Sequence, residues 1–157
     1  MIIKIIEILR IAGASFGIYW AYNVGLSAPD PASAVLHIMT PWIVFSIAGT
    51  SGLEGLFFGK LSAKEKGFEN DGNYAYQSRI ALLSYGVMSL VVYFMDWGIH
   101  ADLTIMLTFL FFMVFSAINH GYQAVVNKNY HWQNLNRPFL TLLLIIVLWY
   151  PITNVLF

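Results

Sequence analysis

Five polar side chains recur at helical spacing near the end of a long apolar run, in the stretch "FSAINHGYQAVVN". They are Ser116, Asn119, His120, Gln123 and Asn127, which fall on one face of a helix. Imidazole is the side chain that most readily gains or loses a proton near neutral pH, and amide groups can orient it or a bound ligand. The stripe is therefore a candidate binding site, or else a set of hydrogen-bonded residues where a helix reaches the membrane surface.

An acidic candidate, Glu54, lies in the apolar stretch "PWIVFSIAGTSGLEGLFFGK". Ser46, Thr50 and Glu54 recur every four residues, so they share a helix face that must meet protein or water rather than acyl chains. A carboxylate at the centre of a bilayer costs on the order of 2.5–3.5 kcal/mol, so Glu54 needs a cation, a proton or a ligand. Two interpretations stay open: a ligand, proton or ion site, or a structural ion pair with Arg79 or Lys60.

Two further polar residues, Gln77 and Arg79, begin the next apolar segment at the same predicted depth as Glu54. Arg79 either pairs with Glu54 or extends toward lipid phosphates. We therefore predict that three helices bring polar side chains to one level of the inner leaflet. We assign no catalytic residue and no metal ligand, and the candidate ligand-binding residues are Glu54, Gln77, Arg79, Asn119, His120 and Gln123.

The amino-acid composition indicates whether water or lipid surrounds these side chains. The 157 residues are 59% hydrophobic and only 10% charged, against roughly 25% charged residues in an ordinary soluble domain. With a mean hydropathy of +0.68, the chain is predicted to form one all-α integral membrane bundle, surrounded by the lipid bilayer. The net charge of zero argues against nucleic acid as a partner, and the absence of cysteine excludes disulfides and thiolate metal sites.

Five apolar segments are long enough to cross a bilayer, at about 8–26, 38–59, 76–95, 103–124 and 138–157. All eight Lys and Arg residues lie at or before the first segment, or around the second and fourth connections. By the positive-inside rule, this pattern predicts a multi-pass plasma-membrane protein with five spans, a cytoplasmic N-terminus and an external C-terminus. A four-span arrangement without the first segment would leave Lys4 and Arg10 outside, so five spans fit better.

Small residues predict where two of these helices pack closely. Gly52, Gly55 and Gly59 share a face of the second segment, with Ala48 one turn earlier. Helices in lipid associate through close van der Waals packing, which small residues allow. We expect another helix to lie against this glycine face.

The histidines predicted near the opposite membrane surface are weaker candidates, here for a metal site. His37 and His100 are predicted to lie close to Asp96 and Asp102. Imidazole and carboxylate groups suit several divalent ions, but no ligand spacing supports the site, and solvated loop residues are the simpler interpretation.

Haem also finds little support. A b-type haem needs axial ligands at matched depth, whereas His37 and His120 are predicted in opposite leaflets. His120 and His131 could serve only if the loop between them folded back. We therefore predict no cofactor.

The region from about 43 to 152 contains, in order, "SGLEGLFFGK", "YAYQSRIALLSYGVMSL", "INHGYQAVVNKNYHWQNLNRP" and "VLWYPI". It resembles an uncharacterised prokaryotic family of small multi-helix membrane proteins, with Gly-His, Phe-Gln-x-Glu and Gly-His-x-Tyr patterns on successive helices. Gln77, His120 and Tyr122 correspond approximately. Lys60 stands where the family tends to have His, Arg79 where it tends to have Glu, and the Gly-His order is inverted. The resemblance implies a membrane bundle and no particular activity.

Searches for G-x-S-x-G, H-E-x-x-H, Walker A and G-x-G-x-x-G find none of these motifs. The leading interpretation is a non-catalytic accessory or assembly subunit of a larger membrane complex, bound to other membrane subunits. The alternative is a stand-alone protein that binds or transports a small lipophilic molecule or lipid at Glu54, Gln77 and His120. A third interpretation is a membrane enzyme that uses Glu54 and His120 as an acid–base pair.

Overall fold

Five helical rods account for the residues that the computed structural model describes, 2–66 and 72–157. The second rod is continuous through a π-helical turn. The helices are α1 (Ile2–Gly25), α2 (Pro31–Val44), the π-helical turn (Phe45–Gly49), α3 (Thr50–Lys66), α4 (Asn73–Phe94), α5 (Ile99–Val125) and α6 (Trp132–Leu156). The prediction of an all-α bundle is confirmed, although part of the predicted charged loop, 67–71, lies outside the described residues.

Four of these rods are long and apolar enough to cross a membrane: Pro31–Glu65, Asn73–Phe94, Ile99–Val125 and Trp132–Leu156. The second predicted segment, 38–59, lies within a longer helical rod, which begins at Pro31. Proline suits the first helical position, and the Asp30 carboxylate caps the helix by accepting a hydrogen bond from the Ser33 backbone N–H at 3.3 Å. Hydrogen bonds from Ser33 also lower the pKa of the Asp30 carboxyl.

The rod formed by α2, the π-helical turn and α3 is the centre of the bundle. Within its apolar window 56% of the residues are buried, against 17–28% for the three other spanning candidates. The other four helices surround it, with α1, α4 and α6 antiparallel to it and α5 parallel. The core includes Leu36, Met39, Ile43, Met106, Phe109 and Leu148.

A ridge of small residues brings α1 against α2. Gly13, Gly17, Ala21 and Gly25 recur every four residues, a pattern that the sequence analysis did not identify. A Cβ atom on Gly25 would lie 2.8 Å from the backbone nitrogen of Val35, and one on Gly17 would overlap a tryptophan side chain of α2. Because van der Waals packing joins helices in lipid, this ridge fixes α1 alongside the central rod over most of its length.

The predicted glycine face of the second segment is confirmed, and its partner is α4. A Cβ atom on Gly52 would lie 2.6 Å from the backbone nitrogen of Leu83. Further along, the side chain of Arg79 lies over Gly55 and Gly59, where added Cβ atoms would overlap it. The glycine face therefore packs against the α4 backbone at one end and against the Arg79 side chain at the other.

A proline near the end of α6 creates a connection to α1. Pro151 has no N–H, so the carbonyl of Val147, four residues earlier, lacks its usual helical donor. The hydroxyl of Tyr22 on α1 donates to this carbonyl at 2.7 Å. The bond joins α1 to α6 near one end of the bundle.

Candidate functional site

A buried ion pair between α1 and α3 forms one wall of the candidate site. Arg10 and Glu54 are both buried, and Arg10 Nη2 donates to Glu54 Oε2 at 2.8 Å. Arg10 Nε donates to the Thr50 hydroxyl at 3.0 Å, and the Ser62 hydroxyl donates to Glu54 Oε1 at 2.5 Å. Both carboxylate oxygens therefore have donors, which is what a charge inside a bundle requires.

The structural ion pair predicted for Glu54 exists, but with a different cation. The sequence analysis named Arg79 or Lys60, whereas the structure pairs Glu54 with Arg10, 44 residues earlier. Lys60 is exposed, and Arg79 lies half-buried over the glycines of α3. Arg10 reaches Glu54 because the small-residue ridge holds α1 close to the central rod.

The π-helical turn Phe45–Gly49 directly precedes the residues that hold Arg10. A π-helical turn carries an extra residue and changes which side chains face the next turn, and such turns are frequent at functional sites. The Thr50 hydroxyl donates to the Ser46 carbonyl while it accepts from Arg10. The polar stripe predicted for this segment thus faces protein, as expected.

A chamber of about 230 Å³ opens beside this ion pair, between α3, α4, α5 and α6. One end is closed by apolar side chains that include Ile47, Phe109 and Met113. Its polar lining consists of Ser51, Glu54, Ser62, Arg79, Ser116, His120 and Arg137. Side chains from four helices, distant in sequence, therefore converge on one polar space.

His120 is held by a buried asparagine of α6. Its Nδ1 lies 2.7 Å from the carboxamide oxygen of Asn134, which can only accept, so Nδ1 carries a proton and donates. The Asn134 amide in turn donates to the Asn129 carbonyl at 2.9 Å. This chain of hydrogen bonds fixes the imidazole at the wall of the chamber.

Arg137 differs from the other arginines of the site. It is half-buried on α6 and lines the chamber. Within the described ranges 2–66 and 72–157, it makes no hydrogen bond or ion pair. Because a guanidinium stays charged at physiological pH, Arg137 presents a permanent positive charge to the chamber.

Three of the six predicted ligand-binding residues come together. Glu54, Arg79 and His120 line the chamber, and Ser116 of the same predicted stripe joins them. Gln77 and Asn119 have exposed side chains, and Gln123 accepts a hydrogen bond from Asn127 at 2.8 Å on the α5 surface. These three amides are not among the described residues that line the chamber.

Sequence reasoning missed Arg10, Ser62 and Arg137. Arg137 was placed in a loop because Pro138 looked like the start of a helix, yet α6 begins at Trp132. For Arg10, the signal was its spacing of three from Glu7, which puts both on one helical face. No sequence signal marked Ser62.

On the other side of the bundle, the four-residue metal site considered from the sequence does not form. His37 Nδ1 lies 2.7 Å from Asp102 Oδ2, and the imidazole stacks on Tyr93. Asp96 and His100 are exposed. Over the described part of the chain, no three His, Asp or Glu residues are grouped as metal ligands.

The fold and this chamber define a class: a small helical bundle with membrane-length apolar helices and a charged, polar space among them. The chain belongs to DUF6790, a family of unknown function, whose model matches residues 6–153. No curated protein and no solved structure matches the chain. The resemblance to an uncharacterised family is thereby confirmed, while the prokaryotic origin and the motif correspondence stay predictions.

Proposed function

We propose that this chain is a multi-pass membrane protein that binds an anionic group of a small molecule in the chamber. The observation that carries the proposal is Arg137, a half-buried guanidinium that lines the chamber and makes no hydrogen bond or ion pair with the described residues. An unpaired charge away from water is costly, and a bound anion would compensate it. Phosphate and carboxylate both match the planar donor fork of arginine.

The charges around the chamber favour an anion over a cation. Glu54 is already matched by Arg10, so its carboxylate is committed to the protein. Glu7 lies near enough to Arg137 to interact with its charge, but no described residue accepts a hydrogen bond from this guanidinium, so its N–H donors are left for an anion. Hydroxyl groups of Ser51 and Ser116 in the lining are further donors for anion oxygens.

The chamber volume indicates the size of the group that enters. Pockets for drug-sized ligands are about 300–1,000 Å³, and the chamber is smaller, at about 230 Å³. It therefore suits a phosphate or carboxylate with a few attached atoms better than a large ligand.

Packing of α1 supports the five-span arrangement of this proposal. α1 lies along the central rod from Gly25, next to Val35, to Arg10, next to Glu54. A helix fixed alongside a spanning helix over this length crosses the same layer. With five spans and the positive-inside rule, the N-terminus is cytoplasmic and the chamber opens toward the cytoplasmic leaflet of the plasma membrane.

The other interpretations have weaker support. Glu54 and His120 line the same chamber, but the Glu54 oxygens are occupied by Arg10 and Ser62, which does not suit a proton-transferring acid or base. The accessory-subunit role rests on size and composition and stays a prediction. Native mass spectrometry after gentle extraction distinguishes the proposed binding function from the subunit role. A retained anionic molecule favours binding, and a co-purified complex favours the subunit role.

The direct test compares a variant that lacks the positive charge at the chamber with one that lacks a positive charge elsewhere. The purified chain in neutral detergent is heated with sodium phosphate or sodium acetate, each against sodium chloride of equal ionic strength. A ligand at about 100 times its Kd adds roughly 2.7 kcal/mol of stability, so at least one anion should raise the wild-type midpoint. Arg137→Gln should abolish the rise. Lys128→Gln, which removes an exposed charge, should keep it. A rise that survives Arg137→Gln, or none in the wild type, contradicts the proposal.

A further inference from the structure

A second cavity lies on the other side of Arg137, as a groove between α1 and α6. Its volume is about 270 Å³, and its walls are mainly aliphatic, with Ile11 and Ile18 from α1 and Leu140, Leu143 and Val147 from α6. The charged residues Glu7, Arg10 and Arg137 also line it. The groove is thus apolar along its walls and charged where it meets the arginines.

The groove and the chamber adjoin. Three residues line both of them: Ile47 in the π-helical turn, Met113 on α5 and Arg137 on α6. A ligand whose anionic group contacts Arg137 therefore has an apolar space directly beside that group. No second charged group is needed to complete such a ligand.

The groove has a defined far limit. Val147 is the last groove-lining residue of α6, and its carbonyl accepts the Tyr22 hydrogen bond that joins α1 to α6 there. From Arg137 to Val147 the helix rises about 15 Å, at about 1.5 Å per residue. This length is about half of the roughly 30 Å hydrocarbon thickness of a bilayer, so the groove spans about one leaflet.

We infer that the ligand is an amphiphile with an anionic head group and one hydrocarbon chain, its head at Arg137 and its chain in the groove between α1 and α6. This inference rests on the proposed anion site and adds the chemical class of the ligand. The volume allows one chain rather than two. An engineered cavity of about 150 Å³ holds one benzene, so by proportion the groove accepts roughly ten carbon atoms.

The charged end of the groove distinguishes this occupant from ordinary bilayer lipid. A crevice that merely holds bulk lipid would need no buried charge beside it. Here Arg10 is buried and paired, and Arg137 is half-buried and faces the chamber. The combination of a fixed positive charge and a single-chain groove matches a fatty acid or a long-chain phosphate monoester.

The test measures binding of radiolabelled dodecyl phosphate and dodecanoate, with inorganic phosphate and acetate as chain-free probes. The full chain is held in nanodiscs of neutral phosphatidylcholine, and empty nanodiscs give the background. Leu143→Trp places a larger side chain in the groove from a position that is 41% exposed. The matched control is Leu142→Trp, its neighbour, which is 55% exposed and absent from the described groove lining.

We expect Leu143→Trp to weaken binding of at least one chained probe about tenfold, the size of an overpacking penalty, and to leave the chain-free anions unchanged. Leu142→Trp should change neither, and Arg137→Gln should weaken both kinds of probe. If the chain-free anions bind and Leu143→Trp has no effect on the chained ones, the chain assignment is wrong while the anion site stands. If no probe binds, both proposals fail. Equal displacement by two-chain phosphatidic acid would overturn the single-chain assignment.

Discussion

At the scale of single residues, the buried contact between Arg10 and Glu54 determines much of what the chamber can do. Each charge alone would be costly among apolar helices, and together they satisfy one another with help from Thr50 and Ser62. With Glu54 neutralised in this way, the chamber lining keeps the guanidinium of Arg137, which makes no hydrogen bond or ion pair with the described residues. The pair therefore occupies the Glu54 carboxylate within the protein, which is the condition for the proposed anion site at Arg137.

Removing one charge of the pair should destabilise the protein more than removing both. Glu54→Gln leaves the buried Arg10 guanidinium without a carboxylate, so we expect a loss of about 3 kcal/mol or more in the free energy of unfolding. The double variant Arg10→Gln with Glu54→Gln should recover most of that loss, because no uncompensated charge stays buried. Unfolding of the purified protein by a denaturing detergent measures all of these values.

Lys60→Gln serves as the control, since this exposed lysine should change stability by less than about 0.5 kcal/mol. A double variant whose loss equals or exceeds the sum of the single losses would show that the two side chains are not coupled.

The sequence predicted the need of Glu54 for a cation but not the identity of that cation. A carboxylate in an apolar run implies a partner wherever the partner comes from. Which arginine provides it depends on how closely α1 approaches, and that distance is set by glycines that make no polar contact themselves. Arg79 was the reasonable choice by depth, and Arg10 was the actual one by packing.

At the scale of elements, α1 and α6 are parallel neighbours joined near one end and separated by a groove along the rest. The joint depends on Pro151, which removes the helical donor of the Val147 carbonyl, and on Tyr22, which replaces it. A proline in one helix thus creates a binding point for another. This arrangement keeps the two helices together without filling the groove between them.

A double-mutant cycle tests whether Tyr22 replaces the donor that Pro151 lacks. Tyr22→Phe should cost about 1 kcal/mol in the wild-type chain, the net value of a hydrogen bond. In a Pro151→Ala background the new backbone N–H can serve the Val147 carbonyl, so the same change should cost clearly less. Thermal or detergent-induced unfolding gives the four stabilities. Tyr19→Phe, on the same helix but exposed, is the control and should be neutral. Equal costs in both backgrounds would refute the replacement.

The elements themselves were predicted well from hydropathy, and their ends were not. All five predicted segments correspond to helical rods, because an apolar run of this length has few alternatives in lipid. The errors arose where caps and prolines decide the end. Asp30 starts the central rod seven residues before the predicted segment, and α6 continues upstream of Pro138 to Trp132. Because of this last error, Arg137 was assigned to a loop and not to a helix.

At the scale of the whole molecule, the described residues form one central rod enclosed by four helices, and the basic residues gather at one end of the bundle. Lys4, Glu7, Glu65 and His131 line one shallow cavity there, although they come from three separate parts of the chain. This gathering agrees with the threading expected from the charge distribution. The side of the membrane on which that end lies is a prediction that labelling can test.

Three single-cysteine variants test the five-span threading, and each has one thiol because the chain has no cysteine of its own. Lys4→Cys, Ser27→Cys and Lys128→Cys all lie at exposed positions. In intact cells, an impermeant maleimide should label only Ser27→Cys, and the other two should react after permeabilisation. Labelling of Lys4→Cys and Lys128→Cys, but not of Ser27→Cys, would show the reverse orientation. The same result for Lys4→Cys and Ser27→Cys would mean that α1 does not cross.

The hydrogen bond between Tyr22 and Val147 also has a consequence for the order of synthesis. Its two residues are 125 positions apart, so α1 leaves the ribosome long before α6 exists. Arg10 likewise cannot pair with Glu54 until Glu54 has been made, 44 residues later. During translation α1 therefore lacks the residues that it contacts in the folded bundle. Its hydrogen bond to α6 can form only after α6 has been made. α1 is thus made before α6 but is fixed in place only after α6 has been made.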